Sequence, residues 1–125
     1  MPTPEQVRAA VTRYVETFQQ QDREGWLDLF AADAVHYDPV GTPANRGREA
    51  IAGFWDRTFS MLEKGQFEVH NVFVCGDEAA MVFTFTGTAA GGGITFDGAE
   101  TYKVGGDGRI TEFRAYWDTM RPLSG

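Results

Sequence analysis

Apolar residues near the start of the chain recur every three or four positions: Val7, Ala10, Val11, Tyr14, Val15 and Phe18. That spacing predicts a helix with one apolar face. Its start is marked by "TPEQ" at 3–6, where Thr3 can cap, Pro4 suits the first helical position and Gln6 completes a capping box. The polar run "QQQDREG" ends this helix, and Asp22 caps a short second one carrying Trp26, Leu29 and Phe30. A third helix is predicted from about Arg48 to Leu62, with Ile51, Phe54, Trp55, Phe59 and Leu62 on one stripe. Between the second and third, "AVHYDPVGTPANRGREA" at 34–50 reads as a short strand or hairpin.

After Gly65 the pattern changes to strands. "FEVHNVFVC", "AAMVFTFTGTA", "ITFDGAETYKV" and "RITEFRAYWDT" are strand-like runs, separated by "GDE", "AGGG" and "GGDG" as hairpin turns. Helices first and an antiparallel meander afterwards predict an α+β fold. Three N-terminal helices pack on one face of a curved, mainly antiparallel sheet, in a single domain over residues 1–125. Alternation puts Met81, Phe83 and Phe85 on one face, and likewise Phe113, Ala115 and Trp117. In the third run Ile94, Phe96, Glu100, Tyr102 and Val104 project together, so Glu100 is a carboxyl on an otherwise apolar face.

Composition narrows the function classes. With 125 residues, 42% hydrophobic and 14% aromatic including ten Phe, the chain can bury a generously lined interior. A formal charge of −7 argues against nucleic acid, whose phosphates need a basic surface. Cys75 is the one cysteine, so no intrachain disulfide forms and a reducing compartment fits. It reads as a small packing residue rather than a nucleophile. The start "MPTPEQVRAA" has no signal pattern, and no apolar run approaches membrane-spanning length, so a cytoplasmic protein is expected.

Three polar groups fall where apolar ones are expected. Tyr14 lies on the apolar stripe of the first helix, Asp38 stands between Tyr37 and Pro39, and Glu100 is on a core-facing strand position. Each has an ordinary reading alone: a core tyrosine, a turn opener, an edge glutamate. Together they suit proton abstraction beside a carbonyl. A carboxylate in an apolar cavity gains base strength, a second carboxyl there stays neutral and donates, and a phenol donates beside it. His36 and Asp38 form an H-x-D pair, but His70 is the only other histidine, so no metal site is expected. The glycines at 91–93 and 105–108 precede no helix and form no phosphate cradle.

The chain resembles Δ5-3-ketosteroid isomerase, within the nuclear transport factor 2-like, or SnoaL-like, superfamily of cone-shaped α+β domains. "TPEQVRAAVTRYV" is similar to that family's first helix, whose catalytic tyrosine falls on Tyr14. "LFAADAVHYDPVGTPANRGREAIAGFW" is similar to its A-D-D-A…D-P-V-G segment and following helix, which places the general base on Asp38. "AMVFTF" and "GRITEFRAYW" also agree. Two positions depart from the pattern: Glu100 stands where an aspartic acid is usual, and Trp55 where a supporting tyrosine is usual. An indole donates a hydrogen bond but cannot accept one, so a tyrosine relay to Tyr14 is shortened.

The resemblance implies a steroid Δ-isomerase. Asp38 moves a proton from C4 to C6 of a 3-oxo-Δ5-steroid, while Tyr14 and protonated Glu100 hold the dienolate oxygen. It also implies no cofactor, a homodimer, and a cavity lined by Phe18, Val40, Phe54, Trp55, Phe59, Phe83, Phe85, Phe96 and Trp117. The rival readings are a polyketide cyclase of the same superfamily, and a non-catalytic pocket for an apolar ligand or protein partner. An epoxide hydrolase of this fold needs an Asp-Arg-Asp set, and alternation puts Arg114 on the face opposite Ala115 and Trp117.

Overall fold

The structure is a computed structural model and describes residues 1–123. Helix α1 runs Pro4–Gln19 with the capping box in place: Thr3 Oγ1 accepts from the Gln6 amide and the Gln6 side chain accepts from the Thr3 amide. Its stripe of Val7, Ala10, Val11, Tyr14 and Phe18 is buried. Helix α2 is only Arg23–Leu27, capped by Asp22. Helix α3 spans Gly47–Met61 and buries Ile51 and Trp55.

The strands are β1 Phe30–Tyr37, β2 Asn45–Arg46, β3 Lys64–Cys75, β4 Glu78–Ala89, β5 Gly92–Val104, β6 Ile110–Tyr116 and β7 Arg121–Pro122. They form one sheet in the order β2-β1-β6-β5-β4-β3, with β7 pairing the first part of β5. All pairings are antiparallel except β1 with β6. Helix α1 lies against β3, β4 and β5, and α3 lies against β1. The core between helices and sheet is strongly aromatic, with Tyr14, Phe18, Trp26, Phe30, Phe83 and Phe113 all buried. No helix among the described residues is long and apolar enough to cross a membrane.

Three sequence expectations need correction, and one holds. Phe30 does not extend α2; it opens β1 opposite Ile110, and the Ile110 amide donates to Leu29 O at 2.7 Å. The segment expected as a short strand or hairpin forms one, the end of β1 pairing antiparallel with β2 through Val35–Arg46 and His36–Asn45. Trp117 lies just beyond β6, which ends at Tyr116. Cys75 is exposed at the end of β3 and packs no core.

Candidate active site

The helices and sheet leave between them a cavity of about 650 Å³, to which α1, the β1 exit, α3 and strands β3 to β5 all contribute. Tyr14, Asp38 and Glu100 line it, brought from α1, the end of β1 and the middle of β5. Each arrives there for a local reason. Tyr14 is on the buried stripe of α1, and its ring stacks on Phe113 with centroids 4.9 Å apart. Glu100 takes the inward alternation of β5 opposite Met81. Asp38 follows the last residue of β1 and precedes Pro39 through a cis peptide. The Val40 amide then donates to Ala115 O at 2.9 Å, which ties this segment to β6.

Of the expected lining residues, Phe18, Phe54, Phe83, Phe85, Phe96 and Trp117 do face the cavity. Val40 does not: it is 37% exposed and borders a shallow depression with Asp97 and Tyr116 on the other side of Trp117. Trp55 and Phe59 do not line the cavity; both pack on the lining residue Phe18, at ring distances of 5.4 and 5.1 Å. The outer part of the cavity is made by Met61, Leu62, Ile94 and Met120, and Met61 and Met120 are exposed at its mouth. Thr58, Pro39 and Phe67 also contribute.

Two side chains act on the carboxyls and carry no warning in the hydrophobic pattern. Trp117 Nε1 donates to Asp38 Oδ1 at 2.8 Å. Alternation had shown the indole as an apolar wall, whereas its N–H holds the carboxylate. The second is Tyr102, whose hydroxyl donates to Glu100 Oε1 at 2.6 Å.

These surroundings divide the acids. Burial raises Asp38 to about 6, against the lowering effect of the Trp117 hydrogen bond. Burial and then the Asp38 charge hold Glu100 well above the usual glutamate range, with the Tyr102 bond acting the other way. Tyr14 is raised well above an ordinary phenol by burial, then by Glu100 and Asp38. The buried indole N–H of Trp26 has no hydrogen-bond partner among the described residues, and its ring lies 5.8 Å from that of Tyr14. The cavity thus contains one carboxyl ionised near neutrality beside two groups pushed toward their neutral, donating forms.

The H-x-D pair is split by its surroundings. His36 is fully buried and stacks on Phe113 at 4.8 Å, with Asn45 at its Nδ1 and its pKa lowered to about 3 by burial. Among the described residues no three His, Cys, Asp or Glu side chains gather as a metal site. Arg114 pairs with Glu112 and lies over the Tyr37 ring at 4.5 Å, away from the cavity, so an Asp-Arg-Asp set does not form.

Residues 11–113 match the model of the SnoaL-like domain. The "Steroid Delta-isomerase" of Nocardioides simplex is 31% identical over 112 residues, covering 90% of this chain and 89% of that protein. This chain is a SnoaL-like protein of the ketosteroid isomerase family. Solved structures superpose closely on this chain. The Δ5-3-ketosteroid isomerase from Mycobacterium sp. has a TM-score of 0.87 at 31% identity, covering 94% of this chain and 98% of its own. A Mycobacterium tuberculosis protein crystallised in complex with estradiol-17beta-hemisuccinate has a TM-score of 0.85 at 29% identity, covering 93% and 98%.

Proposed function

We propose that this protein is a steroid Δ-isomerase that moves a C=C bond from Δ5 to Δ4 in 3-oxo-steroids. The observation that carries the reading is the division of protonation in one apolar cavity: Asp38 is set near 6, while Glu100 and Tyr14 are driven toward their neutral forms. An enolisation needs that division, because the base must be ionised while the groups facing the developing oxyanion still carry protons to share.

In this mechanism the 3-oxo group enters first and its oxygen meets Tyr14 and Glu100. The Asp38 carboxylate removes the C4 proton, and negative charge flows to the oxygen as the dienolate forms. Protonated Asp38 then returns the proton to C6, which leaves the conjugated enone and restores the carboxylate. Trp117 keeps Oδ1 in place at 2.8 Å during both transfers. The flat ring system lies among Phe18, Phe54, Phe83, Phe85 and Phe96, with its far end toward Met61 and Met120. A cavity of this size and lining suits a ligand of that apolar class. The steroid complex of the M. tuberculosis relative supports the same class.

The test is to incubate the protein with 5-androstene-3,17-dione and follow the conjugated enone by its ultraviolet absorbance. Turnover by wild type and a loss of roughly 10²–10⁴-fold in Asp38→Asn are expected, the usual contribution of a positioned base. No turnover above buffer refutes the isomerase, and unchanged turnover in Asp38→Asn refutes the base.

The same reading includes a homodimer through the outer face of the sheet. Phe73 is 57% exposed there, beside Val82 at 38% and Tyr116 at 45%. Sedimentation equilibrium should give twice the chain mass, and Phe73→Glu should shift it to the single-chain mass.

A further inference from the structure

We propose that Tyr102 is a positioning residue, whose hydroxyl selects the oxygen of Glu100 that carries the acid proton and so aims that proton into the cavity. Tyr102 does not line the cavity, so it has no contact with a bound substrate of its own. Its ring is fully buried and is held edge-on by Tyr14 at 5.5 Å and by Phe113 at 5.3 Å. Residues 100 and 102 share the inward face of β5, and the phenol reaches back along the strand to Glu100 Oε1 at 2.6 Å.

A neutral carboxyl is not symmetric: one oxygen bears the proton and the other is a carbonyl acceptor. Were the Glu100 proton on Oε1 and directed at Tyr102, the buried phenol would need another acceptor for its own proton. Among the described residues the Tyr102 hydroxyl makes one hydrogen bond, the one to Glu100. The arrangement that satisfies both groups has Tyr102 donating to a carbonyl-like Oε1, with the proton on Oε2. Donation to Oε1 also draws electron density from the acid and makes the Oε2 proton a stronger donor. A glutamate has one more rotatable bond than an aspartate at this position would have. Fixing it from behind removes freedom that would otherwise be lost on meeting the oxyanion.

The catalytic consequence rests on the isomerase reading, but the effect on Glu100 can be read without turnover. Infrared spectra of wild type, Glu100→Gln and Tyr102→Phe are compared at about pH 8, two units above the Asp38 midpoint, where Asp38 is ionised. The carbonyl stretch of neutral Glu100, identified by its loss in Glu100→Gln, should move to higher frequency in Tyr102→Phe because its donor is gone. In turnover, Tyr102→Phe should lower kcat by about tenfold with KM within about twofold, the scale of one hydrogen bond to a charge-sharing group. In a Glu100→Ala background the same change should cost almost nothing further. An unmoved band, undiminished kcat, or an equal loss without Glu100 overturns the assignment. Absence of turnover in wild type sinks the isomerase reading alone, because the band still decides for Tyr102. Should the Phe variant fail to fold, Tyr102→Met is measured in the same way.

Discussion

Asp38 is the residue on which two opposed effects converge. Withdrawal from water raises its pKa, and the Trp117 N–H restrains the rise to about 6. The balance leaves the group ionised at neutral pH yet closer in basicity to a carbon acid than a surface aspartate is. If Asp38 acts as the proposed base, kcat/KM should be level above pH ~6 and fall about tenfold per unit below it, as its carboxylate takes up a proton. Trp117→Phe removes the restraint while keeping an aromatic wall. The acid limb of the pH–rate profile should move to higher pH, and activity near that limb should drop about three- to tenfold. A limb that stays in place would show that the indole N–H does not tune the base. Asp38, Tyr14 and Glu100 were legible because each is a polar residue on an apolar pattern. Trp117 was visible only as another apolar face. Its link to Asp38 spans 79 residues, and no local pattern reports a contact of that range. Tyr102 was hidden in the same way: a buried tyrosine at an inward position gives no sign of where its hydroxyl points.

At the scale of elements, the helices and hairpins follow from short-range rules. Thr3, Pro4 and Gln6 start α1, and Gly76 and Gly92, both at positive φ, sit at the turns that connect β3, β4 and β5. The boundary of α2 was not legible, since Trp26, Leu29 and Phe30 satisfy helical spacing. Phe30 is taken instead by β6, in a parallel pairing that only the folded sheet supplies. Strand β5 also carries a requirement for Gly98, which sits opposite Phe83. A Cβ there would fall 2.6 Å from Tyr116 O and 3.3 Å from the Trp117 Cβ. Gly98→Ala therefore forces the end of β6 away from β5 and carries the indole with it. The expected cost is about 1–3 kcal/mol of stability, measured by urea unfolding, with the same shift of the acid limb as Trp117→Phe. Destabilisation without that shift would show that the strand end gives way without moving Trp117.

The molecule as a whole carries the strain of its own chemistry. Asp38 binds its proton more tightly folded than unfolded, the midpoint rising from 3.8 to about 6. Stability therefore falls as pH climbs through that window, and the deficit is complete above it. Asp38→Asn should be more stable than wild type by ~1–3 kcal/mol above pH ~6, and no more stable below pH ~4. Thermal or urea unfolding at both ends tests this, and a gain at acid pH would contradict it. His36 acts in the opposite direction, since burial lowers it to about 3 and stability is lost as pH falls from its usual 6.5. It is common to both proteins and cancels in the comparison.

The parallel pairing of β1 with β6 also gives the protein a calendar. Asp38 leaves the ribosome 79 residues before its partner indole. Pairings of such long range form late and set the pace of folding. A chain stalled short of Trp117 therefore has both carboxyls of the site but lacks the N–H that restrains the pKa of Asp38.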